Sequence, residues 1–282
     1  MFNKDTVMDL DPVKAEQELN LLRYNRALAR RSFIKNIGMA GAGVAAGAML
    51  VGCGSGSTTN AQGATVPQTD VLNFALNLEY LEAEFYSMAV TGAALSSSVT
   101  GATSTATGGA KVTFTDSRVA DIAAEISADE TLHVKYLRSA LGASAVAEPV
   151  INLNALGIGF ASQAQFLTLA RAFEDTGVSA YAGAATLLTG NNLQAAAQIL
   201  AVEAYHAGNI RLYLIQDSIT VPATDSNDVP PTEQHFFPTD ANALAIKRTP
   251  SQVLSIVYAS STAGTKSGGF YPNGVNGNIN TV

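Results

Sequence analysis

Two of the three histidines in this 282-residue chain follow a glutamate by three positions, in Glu130-Thr131-Leu132-His133 and Glu203-Ala204-Tyr205-His206. Two such matches among three histidines arise by chance in roughly one in two hundred sequences of this kind. On a helix, an i, i+3 spacing sets carboxylate and imidazole one above the other on a single face. Two further glutamates each precede a tyrosine by seven positions, or two helical turns: Glu79 with Tyr86 and Glu174 with Tyr181. The order is Glu…Tyr, then Glu-x-x-His, and then the same two patterns again. Four carboxylates and two imidazoles from four helices are the inventory of a carboxylate-bridged dinuclear metal site. Hard oxygen and imidazole donors suit two iron ions, with manganese as the alternative, better than copper.

The bland reading of Glu-x-x-His is a solvated ion pair, but both pairs fall on apolar faces. Ile122, Ile126, Leu137 and Leu141 share one face, and Ile199, Ile210 and Leu214 the other. An unpaired carboxylate buried there costs several kcal/mol unless something compensates its charge, and a metal does so directly. On the first of the four segments Glu79 is preferred as ligand for its symmetry with Glu174, and Glu82, one turn on, is an alternative or supplementary ligand. Glu84 points elsewhere and reads as solvated. Asp129 and Asp175 each neighbour a candidate ligand but lie about 100° off the site face, and also read as solvated. His235 sits in a polar, Pro-flanked loop and reads as surface.

Four helices must position these groups. Apolar residues at i, i+3, i+4 and i+7 predict one from about Asp70 to Val90, with Thr69 or Asp70 as N-cap and Gly92 near its end. A second runs from about Ser117 to Leu141, capped by Asp116 and stopped at Gly142. The third runs from about Gln163 to Thr189, capped by Ser162, and the fourth from about Leu193 to Asp217, with Asn192 at its start. The fold class is all-α, a four-helix bundle. The Ser/Thr/Gly-rich stretch from Gly92 to Thr115 is a long insertion, and its alternating Lys111-Val112-Thr113-Phe114 suggests a short hairpin. About twenty residues join the middle helices, including Glu148-Pro149 and the apolar run Val150–Phe160. A tight turn at Gly190-Asn191 makes the last two helices antiparallel neighbours. Beyond Asp217 come a Pro/Asp-rich excursion, a short helix opening at Thr249-Pro250-Ser251, and a Gly/Asn-rich tail. This extension, residues 218–282, is expected to pack on the bundle of residues 69–217, with Phe237, Phe270 and Tyr271 as anchors.

Composition narrows the classes. The chain is 47% hydrophobic, too apolar for wholesale disorder, and its single Cys excludes an internal disulfide framework or a Cys-based zinc or iron–sulfur site. Residues 1–52 carry seven Lys/Arg against five Asp/Glu, while the rest carries nine against eighteen. An acidic body argues against nucleic acid as a partner. Within the basic leader, Arg30-Arg31-Ser32-Phe33-Ile34-Lys35 resembles a twin-arginine export signal, followed by a mildly apolar run too short and too weakly hydrophobic to read as a membrane-spanning helix. Leu50-Val51-Gly52-Cys53 looks like a lipobox, which makes Cys53 a lipidation site and the membrane a partner only through that anchor. Residues 53–68 read as a flexible tether, and the periplasm or cell envelope as the destination.

The Glu, Glu-x-x-His, Glu, Glu-x-x-His order resembles that of ferritin-like di-iron carboxylate proteins, related to bacterioferritins and rubrerythrins. More narrowly, Leu76-Asn77-Leu78-Glu79-Tyr80-Leu81-Glu82-Ala83-Glu84-Phe85-Tyr86 and the tail Gly268-Gly269-Phe270-Tyr271-Pro272-Asn273-Gly274 resemble secreted bacterial ferritin-like proteins related to plant desiccation-related proteins. The resemblance implies a ferritin-like bundle in which Glu79 and Glu174 are terminal ligands, Glu130 and Glu203 bridging ligands, and His133 and His206 terminal nitrogen ligands. Tyr86 and Tyr181 would orient carboxylates by hydrogen bonds, unless they are simply core aromatics. Without a Cys-x-x-Cys module, a rubrerythrin-type peroxidase would need an external electron donor. A lipidated N-terminus and long insertions disfavour a closed iron-storage cage, while a homodimer stays open. Two function classes follow: a redox protein that oxidises Fe(II) or reduces peroxide, and a non-catalytic envelope stress protein with a structural or empty metal site.

Overall fold

The computed structural model describes residues 66–102 and 106–282; the export-type leader, Cys53 and the tether up to residue 65 lie outside the described residues. Its helices are α1 (Gln68–Thr91), α2 (Ser97–Thr100, a single turn), α3 (Ser117–Leu141), α4 (Gln163–Ala184), α5 (Gly190–Gln216) and α6 (Pro250–Val257). Among the described residues β-pairing is confined to isolated bridges, so the fold is all-α.

Local chemistry sets the helix ends. The Asp116 carboxylate accepts the Arg118 N–H at 2.8 Å, and Ser162 Oγ accepts the Gln165 N–H at 3.3 Å, satisfying donors that the first turns leave open. Gly92 closes α1 at φ 79°, a left-handed conformation that lets its N–H reach the Met88 carbonyl. Two boundaries differ from those expected. Pro67, not Thr69 or Asp70, caps α1, because its carbonyl already accepts the Asp70 and Val71 N–H groups. The helix expected to reach Thr189 stops at Ala184 and tightens into a 3-10 turn over Ala185–Leu187. Thr189 then becomes the N-cap of α5, ahead of Asn192, and the turn expected at Gly190-Asn191 falls over residues 185–189. The Gln68 side chain grips Thr189 through both its N–H and its hydroxyl, at 3.0 Å each, which ties this turn to the start of α1.

Cross-helix bonds reveal the topology. Asn73 meets Ser144 while Tyr80 meets Arg138, so α1 and α3 run antiparallel. Gln163 meets Asp217 while Asp175 meets Arg211, so α4 and α5 do too. Tyr86 meets Glu174 while Tyr181 meets Glu79, so α1 and α4 are also antiparallel, as the long connection over residues 142–162 allows. The two helix pairs share a core in which Phe85 stacks on Phe166 and meets Tyr86, Phe160 and Phe173 edge-on.

The hairpin expected at Lys111–Phe114 does not form. Val112 is buried, and its N–H pairs instead with the Ala89 carbonyl at the end of α1. The long connections pair with each other, Leu153 N–H to the Thr107 carbonyl at 2.7 Å, and Asn152 N–H reaches the Phe270 carbonyl at 2.9 Å. The C-terminal extension completes the core through Val253, Leu254 and Val257 of α6 and through Phe270 and Tyr271. Phe237, expected as a third anchor, is 68% exposed, because Arg211 holds this loop by backbone carbonyls rather than by its rings.

Candidate metal centre

Each of the four long helices delivers one buried glutamate to the same point in the bundle. Glu79 on α1, Glu130 on α3, Glu174 on α4 and Glu203 on α5 are all 0% exposed. His133 and His206 complete the set, one turn along from Glu130 and Glu203, with ring centroids 6.4 Å apart. His133 Nδ1 lies 3.2 Å from Glu79, 3.3 Å from Glu130 and 3.5 Å from Glu203. His206 Nδ1 lies 3.0 Å from Glu130 and 3.4 Å from Glu174.

These atoms fall into two groups of four donors, each group gathered within 4.8 Å. One is Glu79, Glu130, His133 and Glu203; the other is Glu130, Glu174, Glu203 and His206. Glu130 and Glu203 belong to both. Glu130 turns one oxygen toward His133 and the other toward His206, the disposition of a bridging carboxylate.

The site fits a metal on a stricter test. Glu130 Oε1, Glu174 Oε2, both oxygens of Glu203 and His206 Nδ1 are buried without a hydrogen-bond partner. Native interiors rarely leave so many polar atoms unpaired in one place, because each costs about 1–3 kcal/mol. These atoms converge on one small volume, which suits a shared cation. The cluster of carboxylates and imidazoles is therefore one that could bind metal.

The groups around this cluster are built to orient it. Tyr86 on α1 donates its hydroxyl to Glu174, and Tyr181 on α4 donates to Glu79, so each tyrosine reaches across to the opposite helix. Each ring is also buried in the core. Asp129 Oδ2 lies 3.3 Å from His206 Nε2, leaving Nδ1 free for the cluster. Reading Asp129 as merely solvated missed this contact, which depends on α5 lying beside α3. Glu82 is also buried here but belongs to neither group of four. Gly177 makes room for it: a Cβ there would lie 2.5 Å from Glu203 Oε2 and 3.1 Å from Glu82 Oε1.

Electrostatics bear the crowding out. Burial, then the charges of Glu203, Glu130, Glu174 and Glu79, push the Glu82 carboxyl well above the usual range. Burial raises Glu130 to about 7 against the pull of both histidines, and it raises Glu203 well above the carboxylate range. Burial also acts to raise Glu79, but hydrogen bonds and the charge of His133 prevail and hold it below the usual value. His206 goes the other way: burial opposes its charge, yet Glu130 and Glu174 raise it to about 11. Burial and mutual repulsion thus disfavour full ionisation of this dense cluster of carboxylates.

Residues 67–216, just over half the chain, match the ferritin-like domain family. The chain belongs to the ferritin-like domain family. No curated protein matches it closely enough to add a relative. The ferritin-like match begins at Pro67, the cap of α1, and ends with α5, so it covers all four helices that carry the cluster. A cavity of about 210 Å³ between α3 and α5 opens on His206 and Asp129, giving the cluster an approach from the surface. A larger one, about 690 Å³ between α4, residues 221–227 and α6, contains none of the clustered glutamates or histidines. The acidic residues beyond the cluster were misjudged from sequence. Glu84 is buried, not solvated, and so is Asp175, which Arg171 and Arg211 both approach to 2.7 Å. Arg211 lies on a facing helix and leaves no local signal, but Arg171, four residues before Asp175 on α4, was a readable i, i+4 partner. His235 is exposed, as its loop suggested.

Proposed function

We propose that this protein holds two iron ions, or manganese in their place, and uses them to oxidise Fe(II) or reduce peroxide. Glu79 and His133 would bind one ion, Glu174 and His206 the other, with Glu130 and Glu203 bridging. The observation that carries this reading is the pair of four-donor groups sharing Glu130 and Glu203, with buried oxygens and a ring nitrogen that nothing else satisfies. Such a centre supplies one-electron chemistry toward oxygen species when bound. The chain's own part is to hold the donors in place through Tyr86, Tyr181 and Asp129, and to limit water to the approach beside His206. Turnover with peroxide would draw electrons from an external donor.

The likeness of Leu76–Tyr86 and Gly268–Gly274 to secreted desiccation-related proteins supports an exported stress-response role. Arg30-Arg31 with Lys35 supports the twin-arginine route, and Leu50–Cys53 a lipid anchor in the envelope. A homodimer is compatible with this placement.

The test loads the protein anaerobically with Fe(II), counts metal per chain, and then adds oxygen or peroxide. The wild type should take up about two ions per chain and develop a ferric absorption band, while Glu130→Ala/His206→Ala should retain neither. A folded, helical wild type without stoichiometric metal would sink the proposal and favour the non-catalytic envelope role.

A further inference from the structure

The four long helices are not covered alike. On α1 nearly every position from Val71 to Phe85 is buried, whereas α3 and α5 are buried along one stripe each, through Ile126, Glu130 and Leu137 and through Ile199, Glu203 and Ile210. The C-terminal extension makes this difference. Val253 of α6 shares a small cavity with Val71 and Phe74 of α1 and Ala180 of α4, so α6 covers the α1/α4 side and leaves the α3/α5 side bare.

That bare side is apolar. Among the described helices only α3 and α5 expose large hydrophobic side chains: Leu132 (58%) and Tyr136 (51%) on α3, and Leu193, Tyr205 (67%) and Leu212 on α5. Leu132 precedes His133 and Tyr205 precedes His206, and the two imidazoles are 6.4 Å apart, so both exposed residues stand at one height of the bundle. The outer side of α5 also carries no charge. Besides tyrosine its ionisable residues are Glu203, His206 and Arg211, and all three are buried. Its outer line runs through the small residues Ala197, Ala201, Ala204 and Gly208. A glycine inside a helix costs stability relative to alanine, yet a Cβ at Gly208 would meet nothing in its own chain. The packing of the protomer does not call for this glycine; the close approach of a second helix does.

Charge and size select the occupant. Residues 53–282 carry nine Lys/Arg against eighteen Asp/Glu, so two copies repel each other from most directions. The outer side of α5 escapes that repulsion, while Glu125 and Asp129 of α3 border Tyr205 at its flank. With 27 residues α5 is about 40 Å long, and two helices side by side span about 20 Å, so this side offers roughly 800 Å² per protomer, the scale of a standard stable interface.

We propose that the chain pairs with a second copy of itself through this side, α5 crossing α5 of the other protomer about a two-fold axis between Ala201 and Gly208. The small residues let the two helices meet, Tyr205 and Leu212 of each protomer bury against the other, and Leu132 and Tyr136 widen the contact. Tyr205 and Asn209 also border the cavity that opens on His206, so the second copy forms an outer wall of that approach.

The test uses the full chain without added metal, which makes its outcome independent of the redox reading. Sedimentation velocity at micromolar concentration should show a dimer. Gly208→Glu sets two carboxylates against each other at the crossing and should raise the dissociation constant about 100-fold or more, with helix content unchanged. Tyr205→Ala should raise it about tenfold or more. Thr262→Glu adds the same charge at an exposed position beyond α6, on the covered side, and should pair like the wild type. Hydroxyl-radical footprinting of the wild type needs no folded variant: Tyr205 and Tyr136 should be shielded where the dimer forms and become reactive on dilution. A wild type that stays monomeric at micromolar concentration would overturn the proposal. So would a dimer that Gly208→Glu leaves intact, or one in which Tyr205 stays fully reactive, since either places the contact elsewhere.

Discussion

Tyr181 and Glu79 lie on different helices 102 residues apart, yet one hydroxyl decides which oxygen of Glu79 remains free. Replacing Tyr181 by Phe keeps the ring that fills the core and removes only that donor. Metal affinity at the Glu79 and His133 position should fall about 10–100-fold, with helix content unchanged. Titration with Mn(II) or Fe(II) checks this, and wild-type affinity would return Tyr181 to the role of a core aromatic. Tyr86→Phe should act on the other position, through Glu174. At this scale the sequence was legible where residue types repeat: the six clustered donors and both tyrosines were found by spacing alone. It was misleading for Glu84 and Asp175, and for Asp129, which is partly exposed, it missed the contact with His206. Their partners are the Leu95 N–H, His206, Arg171 and Arg211, and all but Arg171 come from outside the helix concerned.

Among the elements, α4 shows how far the cluster constrains its scaffold. A glycine inside a helix costs about 1 kcal/mol relative to alanine, so Gly177 is locally unfavourable. Its value lies in the space it leaves for Glu203 and Glu82. Gly177→Ala should leave the helices intact, since the side chains that must move are glutamate ends, but it would displace a proposed bridging carboxylate. The expected result is unchanged circular dichroism with metal content well below that of the wild type, measured on the same preparation. Wild-type metal content would mean that Glu203 can shift without loss of binding. Helix ends are the other lesson at this scale. Asp116 and Ser162 cap locally and were readable. The Thr189 hydroxyl accepts from the Gln68 amide of another helix, and the α4–α5 boundary was accordingly misplaced.

Across the whole molecule, buried arginines bind the C-terminal extension to the bundle. Arg171 pairs with Asp175 and with Asp228 at 2.5 Å, Arg211 reaches the Val229, His235 and Phe236 carbonyls, and Arg248 bonds Ser179 Oγ at 2.8 Å. Arg248 also takes both oxygens of Asp225, at 2.9 and 2.7 Å, and these hydrogen bonds hold the Asp225 carboxyl below its usual value of 3.8. A depressed native value means this contact contributes fully above about pH 4 and fades as acid protonates Asp225 in the folded state. Asp225→Asn should therefore lower stability at neutral pH and narrow its gap to the wild type in acid. Thermal unfolding at several pH values from 7 to 3 checks it, and a pH-independent gap would exclude this linkage. None of the described helices is long and apolar enough to cross a membrane, which is consistent with their charge and with their use in a packed core.

By itself the sequence determined the number and order of the long helices, because apolar periodicity is a property of neighbours along the chain. It also determined the donor inventory, because an i, i+3 spacing has one geometric meaning on a helix. Only the tertiary structure decided that Glu130 and Glu203 stand in both donor groups, that each tyrosine bonds the glutamate of the opposite helix, and that Gly177 leaves the space taken by Glu203 and Glu82. It also decided that the insertion pairs with the middle connection instead of folding into a hairpin. Those outcomes depend on which helices lie side by side and at what register. Residues far apart in the chain set that register through burial and pairing, leaving no pattern at any one segment to read.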